Sequence, residues 1–307
     1  MPQDMHGISF VLPMRESPLP LNSDPASPMN AVQAAHDSSP STQQVETPTP
    51  PHLSGVPPEK RRAIVVGASS GIGAALVRQL AAEGYQVAAL ARREDKLEEL
   101  RESCAEGAAK SGGRVLTKAH DVLNTAEIPT LFEELVRELG GIDLFIYAAG
   151  IMPKTEPGKY DTEQDLAMVQ INFSGCIAWC NEVANTYRTQ REGTLVGISS
   201  SAGDRGRKAN PVYGATKAGM DHYLEALRNR MADVGCHVTT IKPGFIDTDM
   251  TKGIEGMFWL IDAEEAARTI LSSARNRANT RYVPWRWRLV GTAIKSIPSF
   301  LFKRLNV

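Results

Sequence analysis

The segment that most limits what this chain can become begins at Ala63. Ala63-Ile64-Val65-Val66 is a short apolar run rich in β-branched residues, and Gly67-Ala68-Ser69-Ser70-Gly71-Ile72-Gly73 follows it directly. An amphipathic stretch with Ile72, Leu76 and Leu80 on one face comes next and stops at Gly84. An apolar run of this kind, without polar alternation, marks a strand buried on both faces. The unit then repeats. Residues 86–91 read as a strand, 94–107 as a helix, 114–120 as a strand, 128–139 as a helix and 142–147 as a fourth strand. Further strands are expected at 193–199 and 237–241, and helices at 163–191 and 213–234. Strands alternating with helices of this length give a parallel sheet with helices on both faces. No internal period marks a solenoid.

The glycines fall as Gly-x-x-x-Gly-x-Gly between the first strand and its helix, a context that reads as a dinucleotide loop. Glycine lets the backbone turn tightly and approach a pyrophosphate, while the helix N-terminus offers free N–H groups. The fold expected is therefore α/β: a Rossmann-like, doubly wound parallel sheet in three α/β/α layers, forming a single domain over residues 60–281. The end of the second strand distinguishes the cofactor. A dinucleotide lacking the 2′-phosphate usually meets an acid there, whereas this chain reads Leu90-Ala91-Arg92-Arg93-Glu94. A guanidinium forks onto phosphate, so NADP(H) is expected, with Arg92 foremost on the 2′-phosphate and Arg93 and Ser69 assisting. Glu94 could instead fold back onto either arginine.

The ends of the chain differ from this middle. Residues 1–59 hold twelve of the 19 prolines among Ser, Thr, Gln and Asn, with six acids against one base. Such composition buries too little apolar surface to offset chain entropy. It reads as a disordered tail, or as an over-extended reading frame that truly begins at Met29. Residues 282–307 form a basic, aromatic arm: Trp285, Trp287, Phe300 and Phe302 stand among Arg286, Arg288, Lys295, Lys303 and Arg304. That pattern fits peripheral membrane contact, and it fits packing on the body or on a second subunit equally. A net charge of −1 gives no reason to expect nucleic acid. The four cysteines are too few and scattered for a disulfide framework and read as reduced thiols of a cytoplasmic protein. The start lacks the basic flank and apolar core of a signal peptide, and no apolar run is long enough to span a bilayer.

Tyr213 and Lys217 lie one helical turn apart, and Ser200 precedes Tyr213 by thirteen residues. A phenol with a reference pKa near ~10 needs help to exchange protons at neutral pH. A lysine on the same helix face favours the phenolate, and a nearby hydroxyl can bond a reacting oxygen. Together with the glycine loop, these residues resemble the short-chain dehydrogenase/reductase family in its compact single-domain form, over roughly residues 61–275.

Other motifs follow in that family's order. Asp121-Val122 is similar to the pair that contacts the adenine. Tyr147-Ala148-Ala149-Gly150 takes the place of an Asn-Asn-Ala-Gly motif, and both asparagines, with their sheet-bracing hydrogen bonds, are missing here. Asn172 matches the family's active-site asparagine, and its Asn-Phe-Ser sequence, read as a glycosylation sequon, conflicts with a buried helix. Pro243-Gly244-Phe245-Ile246-Asp247-Thr248 resembles the segment along the nicotinamide, where Ile246 and Thr248 touch the carboxamide.

The resemblance implies an oxidoreductase moving hydride between NADP(H) and a carbonyl or secondary alcohol. Tyr213 would exchange the proton, Ser200 would bond the substrate oxygen, and Lys217 would hold the nicotinamide ribose and lower the Tyr213 pKa. Asn172 would hold a water for proton resupply. Gly67, Ser69, Ser70, Gly71, Ile72, Gly73, Ala149 and Gly150 would complete the cofactor site. The assembly implied is a homodimer or homotetramer. The Met257-Phe258-Trp259-Leu260 cluster suggests a lid over an apolar substrate, or ordinary packing. Residues 204–208, near the site mouth, read as a solvated loop, with attraction of an anionic group as the alternative. A reading from another class is a non-catalytic NADP(H)-binding redox sensor, for which a complete proton relay has no use.

Overall fold

The computed structural model describes residues 61–156 and 158–305. The expectations for residues 1–59 lie outside these.

Each apolar run becomes a strand, and each amphipathic run a helix laid across it. In chain order the elements begin β1 (Arg62–Val66), α1 (Gly71–Ala82), β2 (Gln86–Ala91), α2 (Glu94–Ser111), β3 (Arg114–Ala119), α3 (Ile128–Leu139) and β4 (Leu144–Tyr147). They continue with α4 (Thr162–Val169), α5 (Gly175–Gln190), β5 (Thr194–Ile198), α6 (Pro211–Met231) and β6 (His237–Pro243). The last are β7 (Ile246–Asp247), β8 (Ile261–Asp262), α7 (Ala263–Arg275), β9 (Thr280–Val283), α8 (Trp287–Ser296) and α9 (Ser299–Phe302).

Seven strands form a parallel sheet in the order β3-β2-β1-β4-β5-β6-β9, and β7 and β8 make a separate two-stranded pair. This is the Rossmann-like doubly wound architecture, with a core on each face of the sheet. Leu76, Leu80, Leu97 and Ile270 cover one face from α1, α2 and α7. Phe132, Trp179, Val183 and Leu224 cover the other from α3, α5 and α6. Strand order reverses between β1 and β4, and the carboxyl ends of strands at such a switch point form the ligand crevice.

Two boundaries differ from expectation. The helix anticipated at 163–191 is interrupted by a π-helical turn, Gln170–Ser174, which carries Asn172. The expected border between residues 281 and 282 falls inside β9, whose Tyr282 and Val283 pair with Lys242 and Pro243 of β6. The arm therefore begins after the sheet's last strand. Its α8 packs inward through Trp287, Gly291 and Ile294, while Trp285 and Leu289 face outward. No described helix is long and apolar enough to cross a membrane.

Candidate active site

The turn between β1 and α1 is shaped by what its glycines omit. Gly67 has φ +92°, and a methyl there would overlap the backbone of Ala148 and Ala149 at the end of β4. A methyl on Gly73 would overlap the Gly67 carbonyl, and one on Gly71, at φ +53°, would press on the Thr248 methyl 3.0 Å away. The result is a cradle at the switch point, closed on its far side by Thr248. Ser70 occupies the N-cap of α1, yet its side chain makes no cap hydrogen bond. The first-turn N–H groups, which have no intrahelical acceptor, are thus left to a ligand.

Ser69 and Ser70 instead accept hydrogen bonds from Arg93 Nη2 at 2.9 and 3.1 Å. Arg92, expected to lead, turns its guanidinium toward the Asp121 carboxylate at 4.0 Å. Among the described residues Glu94 pairs with neither arginine. Both arginines line one end of a cavity of about 890 Å³ that follows the carboxyl ends of the strands.

Val122, Ala149 and Gly150 line the same cavity, as expected of them. Asp121 does not. Its Oδ1 accepts the Leu123 N–H at 3.0 Å and its other oxygen faces Arg92. His120 takes a place no motif foretold: it lines the cavity, stacks edge-on to Trp179, and its Nδ1 lies 3.7 Å from the Glu127 carboxylate, beyond hydrogen-bond reach. Burial pushes its pKa down, so the imidazole is neutral at pH 7. The bracing lost with the missing asparagines is supplied by Tyr147, whose buried hydroxyl donates to the Ile171 carbonyl at 2.6 Å.

Ser200 stands just past β5, and Tyr213 and Lys217 lie on the first turns of α6, where Pro211 starts the helix. All three are buried and line the cavity. Ser200 Oγ accepts the Ala202 N–H at 3.1 Å, which fixes its rotamer beside the Tyr213 phenol. Burial raises the Tyr213 pKa, and the hydrogen bond to Ser200 offsets part of that rise. Lowering by Lys217 is not reached here. Burial brings the lysine itself down to about 8, its Nζ donates to the Ile198 carbonyl at 2.9 Å, and it lies 5.7 Å from the Tyr213 ring centre.

Asn172 lies beneath the cavity, wholly buried, which closes it to glycosylation. Its Oδ1 accepts the Ile151 N–H at 2.7 Å, and its Nδ2 donates to the Ile151 carbonyl at 2.9 Å and to Thr216 Oγ1 at 3.3 Å. Both amide hydrogens are engaged. Asn172 therefore acts first as a brace joining the β4 exit to α6.

The segment after β6 brings Pro243, Gly244, Ile246 and Thr248 to the cavity wall. A side chain on Gly244 would collide with the Trp287 indole, so the arm contributes directly to the site. Trp287 stacks on Phe258 at 4.9 Å and meets Phe245 edge-on at 5.2 Å, and Trp259 closes the cluster. The 257–260 segment is thus packed against α8 with its outer side exposed.

Residues 204–208 are only in part the solvated loop expected: Gly206 and Lys208 are exposed, while Asp204, Arg205 and Arg207 make inward contacts. Asp204 is buried and accepts from Lys242, Lys295 and the Tyr282 hydroxyl at 2.5, 2.7 and 3.0 Å. Burial pushes this carboxyl up, but the two lysines outweigh it and hold it below its ordinary range. Arg205 donates to the Ile294 and Ile297 carbonyls at the end of α8, and Arg207 lines the cavity.

Comparison with known proteins agrees with this geometry. Residues 61–257 match the family model for short chain dehydrogenases. An uncharacterized oxidoreductase of Mycobacterium tuberculosis (strain CDC 1551 / Oshkosh) is 30% identical over 76% of this chain and 91% of its own length. A 3-oxoacyl-[acyl-carrier-protein] reductase of Bos taurus is 32% identical over 62% of this chain and 77% of its own. The crystal structure of levodione reductase superposes with a TM-score of 0.66 at 23% identity, covering 73% of this chain and 96% of that one. A short-chain type dehydrogenase/reductase from Mycobacterium ulcerans gives 0.66 at 23% identity, over 72% and 87%. With the glycine cradle, the serine and the tyrosine–lysine turn assembled on one parallel sheet, the chain belongs to the short-chain dehydrogenase/reductase family of oxidoreductases.

Proposed function

We propose that the protein is an NADP(H)-dependent oxidoreductase that interconverts a carbonyl and a secondary alcohol, with Tyr213 as proton donor and acceptor. One observation carries the reading: two buried hydroxyls, Ser200 and Tyr213, and the buried Lys217 amine converge on a cavity whose other wall is the glycine cradle. The uncapped start of α1 and the space left by Gly67, Gly71 and Gly73 fit a pyrophosphate. A nicotinamide dinucleotide, when bound, supplies or accepts the hydride.

The chain's own residues do the remainder. Arg93, already held against Ser69 and Ser70, and Arg92 beside it would take a 2′-phosphate. Ser200 presents its hydroxyl where negative charge develops on the substrate oxygen. Tyr213, raised by burial, stays protonated at neutral pH and so is ready to donate. Lys217, near 8, is mostly charged at pH 7 and donates toward whatever occupies the floor of the site. Asn172 keeps Ile151 and Thr216 in register beneath it.

A panel of ketones and aldehydes, followed by loss of NADPH absorbance, tests the reading. Tyr213→Phe is expected to keep NADPH affinity within a few-fold and to lower kcat by about 10²-fold or more. Unchanged turnover in that variant would remove Tyr213 as the proton donor. NADPH binding without turnover of any member would favour the sensor.

A further inference from the structure

The loop between Ser200 and Tyr213 carries two arginines with opposite fates. Arg205 is satisfied by the α8 carbonyls and lies 4.1 Å over the Phe302 ring. Arg207 is not satisfied. Its Nε is buried without an acceptor, and Nη2 makes a long bond to the Ser201 carbonyl at 3.3 Å. Asp204, the carboxylate that acts on it, is already held by Lys242, Lys295 and Tyr282. Among the described residues no carboxylate forms an ion pair with Arg207.

A guanidinium stays charged in proteins, and a half-buried charge with an unpaired N–H is unfavourable unless something completes it. Arg207 lines the cavity, as do Ser200, Asn210 and Tyr213, which flank it in the chain from the end of β5 to the first turns of α6. The cofactor phosphates are provided for elsewhere: Arg92 and Arg93 follow β2, which β1 and β4 separate from β5. The same cavity has apolar lining from Met152, Phe245 and Trp287. Trp287 adds a second buried donor without an acceptor, its indole N–H.

We propose that Arg207 anchors a carboxylate on the substrate, so that the site takes an oxo acid with an apolar body and releases the corresponding hydroxy acid. The inference rests on the oxidoreductase reading above. Hydride goes to the carbonyl carbon, the Tyr213 proton goes to its oxygen, and the carboxylate is unchanged. A guanidinium that lines the cavity without a carboxylate partner suits a planar two-oxygen anion.

Two measurements separate this from the reading beneath it. In the first, the NADPH-loaded protein is titrated calorimetrically with 4-phenylbutyrate and with its methyl ester, neither of which carries a ketone to reduce. The acid is expected to bind about tenfold more tightly or better. Arg207→Met should erase that preference, Arg207→Lys should keep part of it, and Lys208→Met, at an exposed neighbour, should keep it whole. Equal binding of acid and ester by the wild type, or a preference that survives Arg207→Met, overturns the proposal even if uncharged ketones are reduced. In the second, paired oxo acids and oxo esters are compared by kcat/KM, and the same preference should appear in KM. Acid-selective binding with no turnover of any ketone would leave the anion site standing and remove the oxidoreductase reading.

Discussion

Lys217→Met should make the fold more resistant to denaturant at neutral pH and should do so less as pH rises. Burial lowers the lysine pKa from 10.5 to about 8, a difference of 10.5 − 8, or about 2.5. Holding the charge inside at pH 7 therefore costs the native state roughly 3 kcal/mol. The substitution also leaves the Ile198 carbonyl without its Nζ–H donor, a loss of about 1–3 kcal/mol. The net gain at pH 7 is small, and the pH dependence is the sharper readout. Between 8 and 10.5 the unfolded chain binds more protons at this site than the native one, so wild-type stability rises with pH there. From pH 7 to pH 9.5 the wild type should recover about 2 kcal/mol relative to the variant. Tyr213, raised above its ordinary value, stays protonated through most of that range and does not confound the difference. Urea unfolding of both proteins at several pH values measures it. Parallel stability curves would refute a lysine titrating near 8 in the native state.

Arg93→Ala is expected to weaken NADPH about tenfold or more and NADH no more than about twofold, with Arg92→Ala having the smaller effect. Fluorescence titration with both cofactors checks this, and equal loss of the two would defeat the phosphate assignment. Gly73→Ala should destabilise the fold by about 1–3 kcal/mol, because the new methyl overlaps the Gly67 carbonyl. Its NADPH affinity should fall with it; a normal denaturation midpoint would show that the turn relaxes freely.

The sheet was legible because its central strands β1, β2, β4 and β5 are buried runs of mostly apolar residues, and α3 appears with the limits its periodicity gave. Two elements near the end were not. The buried stripe of α7 is largely alanine, with Ile270 and Leu271 its large members, so few large apolar residues mark it although its two faces differ clearly. β9 reads Thr-Arg-Tyr-Val at the sheet edge, two of its residues exposed, and only its pairing with β6 makes it a strand. At the site, spacing located Ser200, Tyr213 and Lys217. It placed Arg207 only within a basic loop near the site mouth, and it did not locate His120 or Trp287, whose positions depend on distant elements meeting at one cavity. Nor could it rank Arg93 above Arg92, since neighbouring residues differ there only in which way the backbone turns them.

The Asp204 carboxylate reaches, within one side-chain length, the strand of Lys242 that leads into Pro243-Gly244 and, through Lys295, helix α8. That helix lies beyond residue 257, where the family match ends. The part of the chain that the family model matches thus carries Ser200, Tyr213 and Lys217, while a segment beyond it furnishes one wall of the cavity and is tied to the loop after Ser200. Exchanging C-terminal segments between relatives is consequently not a modular graft. A chimera that keeps residues up to 257 but takes a foreign end would lose Trp287 from the cavity and leave Asp204 short of a lysine. Diversification of substrate choice on this scaffold can proceed from the tail, provided the partner of Asp204 travels with it.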